Sequence, residues 1–253
     1  PIDAWKSGSE ITTATWPFPW KETETETDEN SIVVCQFEKS QLEMMKLYAK
    51  ANGATINDLI LTAYYRAMSK MGEPIYDEPM VIPITIDLRR YLPNNKTDAI
   101  RNFSGSDITR LSLVPNESFD DTLKRVVAMM TEIKNSNIAL QSAIGLERVE
   151  NMTLTETLAY YKKVSQWSYY SGNKCAPVLS NLGYVADALI SFGQITATNA
   201  YVVPPVVRPP GILLMVSTYN GILTLAAGFY DLTIEKPDVL KLIYGIRDEL
   251  SWE

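Results

Sequence analysis

The sequence contains no histidine among its 253 residues. Histidine has the side-chain pKa nearest neutrality, and it is the commonest general acid or base in enzymes. Its absence excludes a Ser-His-Asp triad, a Cys-His pair, an H-E-x-x-H zinc site and a proximal haem histidine within these residues. Any chemistry of this chain alone therefore proceeds without imidazole, whereas a binding or structural module needs none.

Other absences narrow the class of protein further. The two cysteines, Cys35 and Cys175, are too few for a disulfide framework or a metal-ligand set, which favours a reducing, cytoplasmic setting. No apolar run approaches the roughly 18 residues that cross a bilayer. The formal charge is -7 and the basic residues are scattered, so a general nucleic-acid surface is excluded. There is no glycine-rich phosphate loop, and we expect no metal and no permanently bound cofactor.

The composition is that of a globular domain, with 46% hydrophobic and 21% charged residues. The first residue is Pro1 rather than Met, so we expect the chain to lie within a longer gene product. Residues 1–30 combine a Trp-Pro-Phe-Pro-Trp stretch with an acidic, polar tract. This pattern predicts an extended crossover arm or linker that its tryptophans pin to a surface, followed by one folded unit over residues 31–253.

Periodicity and capping signals predict a mixture of strands and helices. Ser40 with Glu43, Thr55 with Asp58, Ser118 with Asp121, and Thr153 with Glu156 are spaced as helix starts. Predicted strands cover 32–37, 81–88, 103–113, 177–185 and 195–203, a hairpin with an Asn-Gly turn covers 212–230, and predicted helices cover 40–52, 55–71, 118–134, 138–150, 154–169 and 236–250. Pro83 predicts that its strand is an edge strand or bulged. Strands and helices do not alternate strictly, so the fold class is α+β.

Four segments are candidates for a functional site: residues 86–91, residues 102–105 at a strand start, residues 180–183, and the stiff proline-rich connection 203–210. Residues 86–91 place an acidic and basic cluster, including Arg89, at a strand end; a solvated terminus with a surface ion pair explains it equally. Ser180, Asn181 and Gly183 interrupt an apolar strand region. Such a break permits a bulge or the close approach of a ligand, although its composition also fits an ordinary turn.

Taken in order, several segments resemble condensation-domain-like acyltransferases. This superfamily includes chloramphenicol acetyltransferase, the condensation domains of peptide synthetases and the alcohol acetyltransferases. Residues 55–63 look like its T-x-N-D-x-x-L-x-A helix start, and residues 83–92 resemble the strand and arginine that follow. Residues 102–105 are similar to its G-N-F-x-x strand start, and residues 180–183 look like the S-N-L-G of the alcohol acetyltransferase branch. The resemblance covers residues 15–253 and lies in the C-terminal half of the family's proteins.

The resemblance implies a two-layer α/β sandwich, a mixed sheet flanked by helices, that forms one half of a CoA-dependent acyltransferase. In this family the active site lies in a channel between two similar halves, and the N-terminal half carries an H-H-x-x-x-D-G motif whose second histidine is the general base. By carry-over, Ser180, Asn181 and Gly183 line the channel as substrate-binding residues. Arg89 forms a structural salt bridge to the motif's aspartate and has no catalytic role. The co-substrate is an acyl-CoA or a phosphopantetheine thioester, and the expected partners are the N-terminal half-domain and a carrier protein.

Three hypotheses of function remain open. The leading one is the C-terminal half of an acyltransferase that moves an acyl group from a CoA or carrier-protein thioester to a hydroxyl or amine, and that is inactive without the histidine-bearing half. The second is a non-catalytic module that binds an acyl chain, a carrier protein or a partner domain. The third is an independent enzyme that uses a carboxylate or tyrosine as its base. Activity of the isolated chain, and its titration with CoA, distinguish them.

Overall fold

The computed structural model describes residues 16–21, 29–76, 78–136, 140, 149, 151–165, 174–186, 188–207 and 211–251. Its strands are β1 (Trp16–Pro17), β2 (Asn30–Phe37), β3 (Met80–Asp87), β4 (Ser104–Leu111), β5 (Lys174–Tyr184), β6 (Ser191–Phe192), β7 (Ile195–Thr196), β8 (Gly211–Tyr219) and β9 (Ile222–Tyr230). Its α-helices are α1 (Lys39–Ala51), α2 (Ile56–Ser69), α3 (Phe119–Asn135), α4 (Leu154–Ser165) and α5 (Lys236–Glu249). Two short 3₁₀ turns, Leu88–Tyr91 and Pro93–Asn95, follow β3.

The main sheet is mixed, with the strand order β2-β9-β8-β5-β3-β4. The β8–β5 and β5–β3 pairs are parallel, whereas the β2–β9, β9–β8 and β3–β4 pairs are antiparallel. The short β1 pairs with the start of β5, and β6 and β7 form a small separate hairpin. This arrangement confirms the predicted α+β class.

Alternation along the strands separates a helix-covered face from an open face. Leu179 of β5, Leu214 of β8 and Leu225 of β9 belong to one hydrophobic core together with apolar residues of α1, α2, α3 and α5. Their neighbours in sequence point the opposite way because side chains alternate across a strand. The sheet and its helices thus form the two-layer sandwich that the family resemblance implied. We call the side of the sheet away from this core the open face, although the residues of β8 and β9 on this side are also buried.

Two local predictions, the Asn-Gly turn and the cap of the second helix, are confirmed. Asn220 and Gly221 turn the β8–β9 hairpin with φ values of 48° and 79°, as a type I′ turn requires. Helix α2 is capped by Thr55 and Asp58 and is buried almost all round, which agrees with its uniformly apolar sequence.

Other predictions need correction. Helix α1 begins after Glu38, which forms a capping box with Gln41, so Ser40 lies inside the helix rather than before it. β3 is an interior strand that pairs in unbroken register with β4, so Pro83 marks neither an edge nor a bulge. On its other side, the described pairing of β3 with β5 joins only Ile84 to Leu179, and a short pairing there tolerates a residue that lacks an N–H donor.

The predicted strand over residues 195–203 is wrong beyond its first two residues, since β7 ends at Thr196. Residues 197–207 instead form a connection without regular secondary structure that hydrogen bonds to side chains of β8. In the predicted arm, Trp16 joins the sheet as part of β1 and is buried in the core with Phe18. The predicted helix over 138–150 falls on residues of which the structure describes only 140 and 149.

Candidate functional site

Strand β5 contains a β-bulge at the predicted polar break. Asn181 pairs with Val216 of β8, but the next pair joins Tyr184 to Thr218, so β5 carries one extra residue. Gly183 lies in this bulge with φ +67°, in the left-handed region that glycine adopts without steric cost. Of the two alternatives that the sequence left open, the structure forms the bulge.

Ser180 lies immediately before the bulge and points to the open face. Its Oγ is 3.0 Å from Oγ1 of Thr85 on the neighbouring strand β3, and the Ser180 side chain is buried. Thr85 and Ser180 follow the core residues Ile84 and Leu179, which form the parallel pair between the two strands. Sequence reasoning missed Thr85, because nothing local indicates which strand becomes the neighbour of β5.

Asn181 points to the opposite face and contacts the first turn of α2. Its Nδ2 donates to Oδ1 of Asn57 at 3.2 Å, and its Oδ1 accepts from the backbone N–H of Gly183 at 2.9 Å. Asn57 is held there by the helix cap, in which Thr55 Oγ1 accepts from the Asp58 N–H at 3.2 Å. The T-x-N-D pattern contained Asn57, but its spacing signalled only a helix start.

Arg89 lies in the 3₁₀ turn after β3. Its backbone N–H donates to Asp87 Oδ1 at 2.9 Å, and its guanidinium is 3.3 Å from the same carboxylate and stacks 4.9 Å from the ring centroid of Phe103. The side chain is 44% exposed, so its guanidinium remains accessible to a further carboxylate. Within the described part of the chain, no hydrogen bond or ion pair joins Arg89 to the residues around the bulge.

Residues 197–207, which we call the crossing segment, cover one end of the open face. Tyr219 Oη donates to the Ala197 carbonyl at 2.9 Å, and Ser217 Oγ accepts from the Val202 N–H at 3.1 Å. A Cβ at Gly228 of β9 would lie 2.9 Å from Cγ2 of Val206, so the segment packs directly on that strand. The crossing segment therefore lies over β8 and β9.

Burial raises the pKa of several tyrosine and cysteine side chains that could otherwise act as bases or nucleophiles. It raises the pKa of the Cys175 thiol well above its usual value and also raises the pKa of Cys35. Burial likewise raises the pKa of the Tyr64 and Tyr65 hydroxyls, and burial with a hydrogen bond to Asp120 raises the pKa of Tyr48 to about 12. These groups stay protonated near neutral pH, which argues against a tyrosine or cysteine base at these positions.

The described residues show neither a metal-ligand cluster nor a membrane-spanning helix. They contain no group of three or more acidic or cysteine side chains arranged to hold a metal ion. None of their helices is long and apolar enough to cross a membrane.

Comparison with known proteins identifies the fold. No protein-family model and no curated protein sequence matches the chain. Among solved structures, it is similar to the trichothecene 15-O-acetyltransferase TRI3 of Fusarium sporotrichioides, with a TM-score of 0.71 and 13% identity over 98% of this chain and 51% of that one. It is also similar to the EpoB NRPS cyclization-docking bidomain of Sorangium cellulosum, with a TM-score of 0.64 and 16% identity over 100% of this chain and 48% of that one.

A third neighbour, the PapA2 acyl transferase, has a TM-score of 0.59 and 14% identity over 98% of this chain and 50% of that one. At such identities the likeness establishes the fold alone. The chain has the condensation-domain-like acyltransferase fold and spans about half the length of the solved proteins that it matches. In architecture it corresponds to about half of one of these proteins.

Proposed function

We propose that this chain is the C-terminal half of an acyltransferase that moves an acyl group from a CoA or carrier-protein thioester to a hydroxyl or amine. One observation carries the proposal: the Thr85–Ser180 hydroxyl pair lies on the open face of the sheet, in a chain that spans about half the length of the acetyltransferase and acyltransferase structures that it resembles. An open sheet face with a polar pair at two adjacent strands suits a second layer that closes a channel over it. The missing layer would be the histidine-bearing N-terminal half.

In this proposal the N-terminal half supplies the general base, and this chain supplies contacts to the substrate. The acceptor oxygen or nitrogen attacks the thioester carbonyl carbon, the C–S bond breaks, and the thiol leaves with a proton. A histidine of the other half takes the acceptor proton, because the step needs a base with a pKa near neutrality and this chain contains no histidine. Ser180 contributes a polar contact that orients the thioester, and Asn181 and Gly183 shape the bulge beside it.

Arg89 has a structural role in this proposal. Its guanidinium is accessible and only weakly paired with Asp87, itself 61% exposed. Arginine binds carboxylates through paired N–H donors, so Arg89 suits a salt bridge to the aspartate of the other half's H-H-x-x-x-D-G motif. This contact would hold the two halves in register.

The test is reconstitution of turnover from the two halves. The chain is mixed with a histidine-bearing N-terminal half from the same gene, and thiol release is followed from acetyl-CoA and from a carrier-bound acetyl thioester with alcohol and amine acceptors. We expect no release by either half alone and release by the mixture. A stable complex that releases no thiol, or an isolated chain that turns over by itself, contradicts the proposal. Calorimetric binding of CoA by a complex without turnover supports the alternative of a binding module.

A further inference from the structure

We infer that Asn57 is a positioning residue that holds the β5 bulge in register and thereby sets the orientation of Ser180. This inference rests on the proposed function for its catalytic meaning and on the described hydrogen bonds for its geometry. Asn57 and Asn181 are 124 positions apart in the chain, yet their amides meet at 3.2 Å. The contact joins the first turn of α2 to the only bulge found in the described pairing of β5 with β8.

Adjacent residues of β5 are held from opposite sides of the sheet. Ser180 contacts Thr85 on the open face, whereas Asn181 contacts Asn57 on the helix side. Consecutive side chains of a strand point to opposite faces, so a rotation of the backbone at Asn181 also turns Ser180. The helix-side contact therefore controls a hydroxyl that it does not touch.

The hydrogen bonds of Asn181 also determine whether residue 57 must accept or donate a hydrogen bond. The Gly183 N–H is a donor, so Asn181 directs its Oδ1 toward Gly183 and its NH₂ group toward Asn57. An amide flip would set the NH₂ group against the Gly183 N–H, leaving two donors face to face. Asn57 must consequently offer an acceptor oxygen. Aspartate can replace it in this role, whereas alanine cannot.

Both replacements leave the helix start intact. Asn57 is the second residue of α2, and the Thr55–Asp58 capping box does not involve its side chain. Alanine is a better helix former than asparagine, and an acidic residue is favourable in the first turn. A change that follows N57A and is absent from N57D therefore reports the Asn181 contact rather than the helix.

The first arm of the test uses the chain alone and measures amide hydrogen exchange at Gly183. We expect N57A to accelerate exchange about twofold to tenfold, the range that one lost hydrogen bond produces, and N57D to stay near the original rate. The matched control is N52A, which removes an exposed asparagine bonded to the Tyr48 carbonyl at the end of α1. Unchanged exchange in N57A, or equal acceleration in N57D and N52A, overturns the inference.

The second arm uses the two-half enzyme and a double-mutant cycle on kcat/KM. We expect N57A to lower kcat/KM about tenfold, N57D to restore it, and N57A/S180A to be no slower than S180A, since Asn57 acts through Ser180. Additive losses in the double variant contradict positioning and indicate a general structural effect. If the unmodified pair releases no thiol, the proposed function fails, while the exchange arm still decides whether Asn57 holds the bulge.

Discussion

The Oγ1 atom of Thr85 and the Oγ atom of Ser180 lie 3.0 Å apart, although the two residues are 95 positions apart in the chain. The two hydroxyls differ in their access to water, since Ser180 is buried and Thr85 is half-buried. A buried hydroxyl that loses its partner incurs a desolvation cost, whereas a more accessible one can bond to water. Loss of the Thr85 hydroxyl should therefore cost more stability than loss of the Ser180 hydroxyl.

T85V removes the partner of the buried Ser180 hydroxyl while it conserves the side-chain shape. We expect it to lower the free energy of unfolding by about 1–2 kcal/mol, because an unsatisfied buried polar group remains. S180A leaves only the accessible Thr85 hydroxyl and should cost less. The T85V/S180A variant should be more stable than T85V alone, which urea unfolding can measure. Strict additivity of the two changes speaks against a direct hydrogen bond.

Glu249 near the end of α5 should make folding sensitive to acid. Its carboxylate accepts from Arg66 Nε at 2.5 Å and also from Lys70. Burial alone would raise the pKa of Glu249, but the hydrogen bonds and charges of Lys70 and Arg66 together lower it below its usual 4.5. A folded-state pKa below the unfolded value means that this stabilisation is complete above about pH 4.5 and is lost as pH falls through the folded value.

E249Q should therefore remove about 2 kcal/mol of stability at pH 7 and weaken the dependence of unfolding on pH below 4.5. The control is E235Q, which breaks an ion pair with Lys21 in which both side chains are more than half exposed. Such exposed pairs contribute little, so E235Q should leave the stability at pH 7 unchanged. Thermal unfolding at several pH values measures both variants, and equal losses from both would show that burial of Glu249 is unimportant.

Both cysteines should be inert in the folded chain. Cys35 and Cys175 are free and buried, and burial raises the pKa of both thiols. The thiolate is the reactive form, so we expect a thiol reagent at pH 8 to label neither residue in the native state and both after unfolding in urea. S191C introduces an exposed thiol in β6 as a positive control. Rapid native labelling of Cys175 contradicts its described burial.

Gly228 should be required for the packing of the crossing segment. In G228A the new methyl group would lie 2.9 Å from Val206 Cγ2, and valine has little rotamer freedom with which to yield. We expect a loss of about 1–3 kcal/mol in stability and faster exchange of the Val202 N–H, which bonds to Ser217 Oγ. G228A/V206A removes the clash and should recover much of the loss. If G228A/V206A is no more stable than G228A, the loss of stability does not come from the contact with Val206.

Arg89 should matter for association of the two halves more than for folding of this one. R89M keeps an apolar stem near Phe103 but removes the guanidinium, so we expect affinity for the histidine-bearing half to fall at least about tenfold. K124M removes one positive charge from an exposed ion pair on α3 and serves as the charge-matched control. Calorimetric titration compares the two. Unchanged affinity in R89M would contradict the proposed salt bridge between Arg89 and the other half.

Local sequence signals predicted the elements that local interactions determine. The Asn220-Gly221 turn and the Thr55–Asp58 and Thr153–Glu156 capping boxes form as their spacing indicates. The predicted strand over residues 195–203 does not form beyond Thr196. An apolar, β-favouring sequence has the same local pattern whether it pairs within a sheet or crosses the surface of one. Ser217 and Tyr219 on β8 hold this region by side-chain hydrogen bonds, and their partners are not encoded locally.

The sequence by itself determined that the chain has no imidazole, and the polar break at residues 180–183 pointed to a candidate site. Only the tertiary structure decided that Thr85 and Asn57 hold that break from opposite faces of the sheet. The physical reason is strand order: β5 lies between β3 and β8, and α2 lies against the sheet, through contacts between residues far apart in the chain. Such contacts follow from burying one common core, and no local pattern specifies which side chains they bring together.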